Sequence, residues 1–332
     1  MTGESSYRIA VIGAGLMGHG IAQEFAQGGF KVSLYDSDAT RRERVLDQIE
    51  TNLHLIAENH VITPDDVPLT LSRIRVMDEL ETAIRDTNFV IEAVFENLKL
   101  KKSIFRRLDD ICPEDTILTS NSSSFTPSQY AQDVRLPGRI IGTHYFNPPY
   151  LVPLVEVIKG KGTSGKTLEA TVKLLRKIGK KVAIVKKEIP GFIANRIQIA
   201  LFREAFNVVE QGIATPEEVD LAIKSSFGRR LGIMGPFEQC DIIGADLKLA
   251  IYEALVPNIS NSRAPTPLLT KNVRENNLGM KTGRGFYTWT PHSAQVKNRE
   301  IRQWLIEMNR LEALLDRPSV EEGKPEDKGE KG

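Results

Sequence analysis

The 332-residue sequence has little cysteine, almost no net charge and no long apolar run. Its two cysteines, Cys112 and Cys240, are too few for a disulfide framework and lack the spacing of a metal site, so no metal is expected. The net charge of +1 gives no electrostatic reason to expect nucleic acid as a partner. Glycine, proline or histidine interrupts each apolar stretch before the ~18 residues that a membrane span requires.

The polar segment 1–6 leads directly into the first predicted strand, which argues against a signal peptide. Together these absences favour a cytoplasmic enzyme that acts on a small molecule. A hydrophobic fraction of 41% fits a globular chain, and the length suggests about two domains.

Short apolar runs alternate with helical patterns through the first part of the chain, which is typical of an α/β protein with a doubly wound, mostly parallel sheet. Strands are predicted at residues 9–12, 30–35, 73–77, 89–94, 116–119, 139–142, 153–158 and 181–185. After Pro190 the pattern becomes helical, beginning with a long helix over 192–211. We therefore expect a sheet domain over 1–190, a smaller all-α domain over 191–295, and a helical extension with a disordered charged tail over 296–332.

A glycine-rich turn follows the first predicted strand. Residues 13–18 fit G-x-G-x-x-G, in which Gly13 permits a tight turn, Gly15 lets a pyrophosphate approach the backbone, and Gly18 lets a helix pack on the strand. The N–H groups at the start of that helix, with Leu16 and Met17 between the glycines, point to a phosphate site.

Asp36 ends the second predicted strand, 18 residues after Gly18. A carboxylate near this spacing accepts a hydrogen bond from the adenosine ribose and favours NAD, because it repels the 2′-phosphate of NADP. Arg41 and Arg42 follow closely, and a role for Asp36 in capping the next helix stays open.

Polar side chains cluster where the predicted strands end, at Glu96, at the serines 122–124, and at His144 and Asn147. The carboxyl ends of parallel strands form the ligand site of such sheets. Histidine exchanges protons near neutral pH, so His144 is the candidate acid/base, and Glu156 in an apolar strand is its candidate partner. A structural histidine with a strand-edge glutamate is the alternative.

The sequence resembles the 3-hydroxyacyl-CoA dehydrogenase family from about residue 8 to residue 289. The motifs that carry the resemblance are IGAGLMG at 12–18, IEAVFENLK at 91–99, NSSS at 121–124, HYFNP at 144–148, LVEVI at 154–158, PGFIANR at 190–196, MGPFE at 234–238 and KTGRGFY at 281–287.

The resemblance implies a Rossmann-like NAD domain, a helical domain that forms a homodimer, and a role in fatty acid metabolism on L-3-hydroxyacyl-CoA substrates of short or medium chain. By motif, His144 is the general base and Glu156 its partner, and Ser123 and Asn195 line the substrate. Further matches to cofactor positions are Glu96, Lys101, Ser123, Asn147 and Lys281.

Two departures bear on the substrate. Members that bind coenzyme A tend to carry serine and lysine where Asn52 and Asn59 stand here, and residues 147–156 resemble relatives that oxidise free hydroxy acids, such as the gulonate and carnitine dehydrogenases. The motif at residues 281–287, in contrast, resembles that of the family members that act on acyl-CoA substrates. Three hypotheses follow: an acyl-CoA dehydrogenation, oxidation of a CoA-free hydroxy acid, and, least supported, a non-enzymatic NAD-binding protein.

Overall fold

A computed structural model describes residues 7–315; the predicted tail from 317 onward lies outside these residues. An eight-stranded sheet forms the first domain, with strand order β3-β2-β1-β4-β5-β6-β7-β8. The strands are β1 Arg8–Ile12, β2 Lys31–Tyr35, β3 Ile74–Met77, β4 Phe89–Glu92, β5 Ile117–Ser120, β6 Ile140–Tyr145, β7 Leu154–Ile158 and β8 Lys181–Val185. This architecture confirms the predicted Rossmann-like, mostly parallel sheet.

One pair of neighbours, β6 and β7, runs antiparallel, and every other pair is parallel. The chain between β6 and β7 is too short for the crossover that parallel neighbours need, so the second strand must turn back. In the resulting register His144 lies opposite Glu156. Strand β6 is also longer than predicted, and His144 lies inside it rather than after its end.

Helices cover both faces of the sheet. They are α1 Gly18–Gln27, α2 Ala39–Glu58, α3 Asp66–Leu71, α4 Leu80–Ile84, α5 Leu98–Ile111, α6 Pro127–Tyr130 and α7 Gly165–Lys177. The alternation of side chains along β1 divides the core, because Ile9 and Val11 pack in the cluster with α1, α2 and α7 whereas Ala10 and Ile12 pack in the cluster with α4, α5 and α6.

The second part of the described chain is helical: α8 Ala194–Glu210, α9 Pro216–Ser225, α10 Pro236–Ile243, α11 Ala245–Leu255, α12 Pro267–Arg274 and α13 Pro291–Leu315. The sequence pattern predicts one helix over 237–255, but Gly244 adopts φ +91° and divides it into α10 and α11. In the described chain, none of the residues of α8 to α12 is buried, although these helices carry many large apolar side chains.

Helix α13 returns to the sheet domain. Its Ile306 is buried in the core cluster of α1 and α7, and Asn309 donates a hydrogen bond from Nδ2 to the Leu151 carbonyl at 2.8 Å. Its Glu312 pairs with Lys181 at the start of β8. Among the helices that the structure describes, α13 and all others lack the length and apolarity of a membrane span.

Candidate active site

The glycine turn after β1 has the close approaches that its sequence predicts. Gly13 adopts φ +107°, and a Cβ there would lie 2.6 Å from the Ala93 carbonyl oxygen. A Cβ on Gly18 would lie 1.7 Å from the Gly13 oxygen, so both positions require glycine. The N–H groups of Leu16 and Met17, just before α1, have no acceptor among residues 7–315. They remain available to bind phosphate oxygens at the positive end of α1.

Asp36 lies at the end of β2 and is almost fully buried. Its Oδ2 accepts a hydrogen bond from Ala14 N at 2.7 Å, and its Oδ1 accepts one from Asp38 N at 2.9 Å. The residue that caps α2 is Asp38, whose side chain accepts from Thr40 N. Asp36 therefore ties β2 to the glycine turn and is not the cap of the helix.

A cavity of about 580 Å³ runs along the carboxyl ends of β1, β2 and β4. One wall is the segment after β2 and the other is the segment after β4, so the cavity lies where the strand order reverses, as expected for a dinucleotide site. Its lining includes these predicted cofactor residues: Gly13, Gly15, Leu16, Met17, Asp36, Glu96 and Ser123. The free N–H groups, the buried carboxylate and a cavity at this place in the sheet fit NAD.

The other predicted cofactor residues lie elsewhere. Gly18 packs against the backbone of Gly13 and so supports the glycine turn without lining the cavity. Asn147 and Lys281 are exposed, and neither is part of the cavity lining. Lys101 is only 1% exposed, and its ammonium lies 2.8 Å from Glu92 and 3.3 Å from Glu96. Its charge is therefore directed to two carboxylates of the protein.

Glu96 holds the serine segment in place. Its Oε1 accepts hydrogen bonds from Ser123 N at 3.1 Å, Ser124 N at 2.9 Å and Ser124 Oγ at 2.6 Å. Partial burial opposes its ionisation, but hydrogen bonds from Ser122 and Ser124, together with Lys101, outweigh this and hold the pKa of Glu96 below its ordinary value. Glu96 is thus an anionic anchor for the loop that presents Ser123.

Glu92 was not singled out from the sequence. It is fully buried, binds Lys101 through both carboxylate oxygens, and accepts a hydrogen bond from Ser120 Oγ at 2.6 Å. The sequence does carry a signal for Glu92, because it is an acidic residue at the end of the apolar strand β4. A buried carboxylate there requires a cation or hydrogen-bond donors.

His144 and Glu156 are in direct contact across the antiparallel pair of strands. The Nδ1 atom of His144 lies 2.8 Å from Glu156 Oε2, and both side chains are buried. Because an ionised carboxylate only accepts, Nδ1 carries the proton and Nε2 is the nitrogen left to accept another.

The second carboxylate oxygen of Glu156 binds the first residues of the helical domain. Oε1 accepts hydrogen bonds from Ile193 N and Ala194 N, each at 2.9 Å, at the start of α8. Burial opposes ionisation of this carboxyl, but the hydrogen bond from His144 and the two N–H groups prevail and keep the pKa of Glu156 below its ordinary value. Glu156 is therefore ionised at neutral pH.

Two aromatic rings flank the histidine. The centroid of Phe146 lies 4.6 Å and that of Phe192 lies 5.4 Å from the centroid of the His144 ring. Phe192 adopts φ +51°, a conformation that is rare for a bulky residue and that is held here by packing, since the side chain is buried. The rings limit the motion of the imidazole and exclude water from its sides.

Ser123 and Asn195 come together from the two domains. Asn195 Nδ2 lies 3.5 Å from the Ser123 carbonyl oxygen. Asn121, beside Ser123 in the cavity wall, accepts a hydrogen bond from Tyr145 N at 2.9 Å and so joins the cavity to the end of β6. Ser123 is thus in contact with Asn195 of α8, and its neighbour Asn121 is bonded to the strand end that carries His144.

The two positions that bear on coenzyme A lie in α2 and directly after it. Asn52 is buried in α2, where its Nδ2 has no hydrogen-bond partner among the described residues. Asn59 follows the end of α2 and donates from Nδ2 to the Leu55 carbonyl at 2.8 Å.

Comparison with known proteins identifies the family. Residues 8–189 match the model of the 3-hydroxyacyl-CoA dehydrogenase NAD binding domain, and residues 191–289 match that of the C-terminal domain. A probable 3-hydroxybutyryl-CoA dehydrogenase of Bacillus subtilis is 39% identical over 85% of this chain and 97% of its own. A 5-formyl-3-hydroxy-2-methylpyridine 4-carboxylate 5-dehydrogenase of Mesorhizobium japonicum is 30% identical over 91% of this chain and 97% of its own.

Solved structures agree with this assignment. A crystal structure of a dehydrogenase of the same pyridine carboxylic acid, described as an NAD+ dependent dismutase, has a TM-score of 0.87 at 30% identity and covers 94% of this chain and 100% of its own. An (S)-3-hydroxybutyryl-CoA dehydrogenase from Ralstonia eutropha has a TM-score of 0.71 at 34% identity, over 86% of this chain and 100% of its own. The family resemblance and the NAD cofactor predicted from the sequence are confirmed. This chain belongs to the 3-hydroxyacyl-CoA dehydrogenase family and is an NAD-dependent oxidoreductase that acts on a CH–OH group.

Proposed function

We propose that this enzyme oxidises the 3-hydroxyl group of a short- or medium-chain L-3-hydroxyacyl-CoA to a ketone, reversibly. The observation that carries the proposal is the His144–Glu156 contact, with Nδ1 and Oε2 2.8 Å apart, at the carboxyl end of β6 beside the cofactor cavity. A base at this place can remove the hydroxyl proton while hydride leaves the same carbon for the cofactor.

The roles of the residues follow from their hydrogen bonds. His144 takes the substrate proton at Nε2, because Glu156 occupies Nδ1. The carboxylate of Glu156 stabilises the imidazolium that forms. Ser123 and Asn195 border the region where the substrate oxygen must lie. NAD, when bound, supplies the acceptor for the hydride.

The acyl-CoA substrate is supported by relatives rather than by a binding site for the thioester. The Bacillus subtilis relative is named a probable 3-hydroxybutyryl-CoA dehydrogenase, and the Ralstonia eutropha structure is that of an (S)-3-hydroxybutyryl-CoA dehydrogenase. The motif at 281–287 adds to this support.

A second candidate is the oxidation of a CoA-free hydroxy acid or polar alcohol. Two observations favour it: Asn52 is buried and Asn59 binds its own helix, so neither side chain is free to hold coenzyme A. The solved structure with a TM-score of 0.87 is also that of an enzyme named for a CoA-free pyridine carboxylic acid.

One pair of assays separates these candidates. Oxidation of NADH with acetoacetyl-CoA is measured beside reduction of NAD with 3-hydroxybutyrate, gulonate and carnitine, using His144→Gln to establish the background rate. Turnover of acetoacetyl-CoA supports the first candidate. Turnover restricted to free acids or alcohols rejects it in favour of the second.

We also propose that the helical domain pairs with a second copy of this chain. Helices α8 to α12 expose large apolar side chains, including Ile197, Ile199, Phe237, Ile242 and Leu249, and bury none of their residues within the described chain. An apolar surface of this kind marks an interface in a protein that folds stably. Light scattering coupled to size-exclusion chromatography measures the mass, and a monomer at micromolar concentration contradicts the proposal.

The location in the cytoplasm and the role in fatty acid metabolism stay predictions from the sequence. Fractionation of the native cells and growth of a deletion strain on fatty acids are the respective tests.

A further inference from the structure

Two side chains from opposite walls of the cofactor cavity are in contact. Arg41 belongs to the first turn of α2, after β2, and Phe95 lies just after β4. The guanidinium carbon of Arg41 stands 5.0 Å from the centroid of the Phe95 ring. Both residues line the cavity, so this cation–π contact bridges its two walls.

The position of Arg41 and Phe95 relative to Asp36 indicates which part of the cofactor would lie beside these two side chains. Asp36 is the carboxylate placed to accept a hydrogen bond from the adenosine ribose, and Arg41 lies 3.7 Å from it. The cavity lining also has an apolar part, which consists of Leu80 on α4 and of Leu100 and Ile104 on α5. The base attached to that ribose is the flat aromatic group that this apolar part of the lining fits.

Phe95 lacks the packing of an ordinary apolar residue. Its side chain is 68% exposed, although a ring of this size usually gains by burial. A flat aromatic ligand bound against the apolar part of the lining would cover the ring. Stacking of a base on an aromatic side chain is worth ~1–3 kcal/mol in nucleic-acid binding proteins.

The charge of Arg41 is held in place by two acids. Its guanidinium lies 3.7 Å from Asp36 and 3.6 Å from Asp38. These two carboxylates offset the positive charge of the guanidinium. Arg41 is therefore placed to contact a neutral base, and a 2′-phosphate would have to compete with two carboxylates for it.

We propose that Arg41 and Phe95 form a clasp, the adenine clasp, that closes over the adenine ring of the dinucleotide. Phe95 supplies the stacking surface, and Arg41, whose guanidinium contacts the Phe95 ring in this structure, exchanges that contact for one with the adenine that enters between them. The clasp binds the adenine part of the cofactor and takes no part in the hydride or proton transfer.

The test compares ligands that contain adenine with one that does not. NADH, ADP-ribose and reduced nicotinamide mononucleotide are titrated against the full chain and against Phe95→Ala, with NADH and the mononucleotide followed by their fluorescence and ADP-ribose by calorimetry. We expect Phe95→Ala to raise Kd about tenfold for NADH and ADP-ribose. The Kd of the mononucleotide stays within twofold of its original value.

Conservative and control variants make the result specific. Phe95→Trp and Phe95→Tyr retain a stacking ring and should restore ADP-ribose binding. Arg41→Met keeps the length of the side chain but removes the cation, and should raise the Kd of ADP-ribose by about two- to fivefold. Leu69→Ala, another exposed apolar residue, lies on α3 outside the cavity and should change nothing.

Two results would overturn the clasp: unchanged ADP-ribose binding in Phe95→Ala, or an equal loss for the mononucleotide. Because Phe95 is mostly exposed, its replacement leaves the core intact, and thermal unfolding of each variant verifies this. The measurement needs no substrate, so its outcome is independent of whether the enzyme acts on coenzyme A thioesters.

Discussion

Glu156 connects His144 to the helical domain through the two oxygens of one carboxylate. Oε2 lies 2.8 Å from His144 Nδ1, and Oε1 accepts the N–H groups of Ile193 and Ala194 at the start of α8. The group that fixes the tautomer of the histidine therefore also fixes the domain that carries Asn195. Displacement of α8 would disturb the hydrogen bonding of the carboxylate that orients His144.

His144→Gln should lower kcat by ~10²–10⁴, because it removes the group that accepts the substrate proton. The Kd of NADH should stay within a factor of two, since His144 is not part of the cavity lining. Steady-state kinetics and NADH fluorescence measure the two quantities. His54→Gln, on the exposed side of α2, is the matched control, and a kcat of His144→Gln within tenfold of the original would refute the general-base role.

Glu156→Gln should reduce kcat by roughly 10²-fold or more, because an amide cannot stabilise the imidazolium by charge. It should also change the pH dependence of stability. The folded pKa of Glu156 is lowered, so its contribution to the free energy of unfolding is fully present above the ordinary carboxyl value and is lost as pH falls through the lowered folded value. Urea unfolding from pH 7 to pH 3 should show a smaller loss of stability in Glu156→Gln, and parallel curves for the two proteins would contradict the lowered pKa.

Glu24 should lower the free energy of unfolding as pH rises, which is opposite to the effect of Glu156. This carboxyl on α1 is paired with Lys180, yet burial outweighs the lysine and raises the pKa of Glu24 to about 7. A carboxyl with a raised folded pKa stabilises the protein below its unfolded pKa, and stability declines as pH rises toward 7. Glu24→Gln should flatten this decline in urea unfolding between pH 5 and pH 8. An unchanged slope would mean that Glu24 is ionised throughout the range.

Asp36→Asn should weaken the discrimination against NADP. The substitution keeps the size of the side chain but removes the charge that opposes a 2′-phosphate, while Arg41 and Arg42 remain nearby. We expect the ratio of kcat/KM for NAD over that for NADP to fall by roughly tenfold, equivalent to about 1.4 kcal/mol. Comparable use of both cofactors by the original enzyme would show that Asp36 does not select NAD.

Phe237→Glu should dissociate the proposed dimer. Phe237 is 84% exposed on α10, and a carboxylate in an apolar interface between two copies would be buried without a partner. Light scattering should show half the mass of the original protein. Glu217→Gln, an exposed charge in the first turn of α9, is a mild control, and an unchanged mass for Phe237→Glu would place the interface elsewhere.

Much of the site follows from patterns that are local in the sequence. The turn at Gly13 and Gly18 is predictable because its backbone conformation and close contacts exclude any Cβ. Glu156 could be paired with a cation in advance, because a carboxylate in the apolar strand β7 needs a partner. The division of residues 237–255 by Gly244 was missed, since a single glycine within a helical pattern does not by itself end a helix.

Other features depend on residues far apart in the chain. Lys101 matches a cofactor position by motif, but the packing of α5 on the sheet directs its ammonium to Glu92 and Glu96. The contact of Arg41 with Phe95 depends on β2 and β4 lying on either side of β1. No spacing rule within the sequence reports such a contact.

The sequence by itself determined the family, the NAD turn and the fold class, because glycine conformations, strand burial and motif order are written in short segments of the chain. Only the tertiary structure decided which side chains meet. The antiparallel register of β6 and β7 places His144 against Glu156, and the docking of α8 supplies two further donors to that carboxylate. Hydrogen bonds act over about 3 Å, so they are determined by how strands and domains pack and not by the distance between residues along the chain.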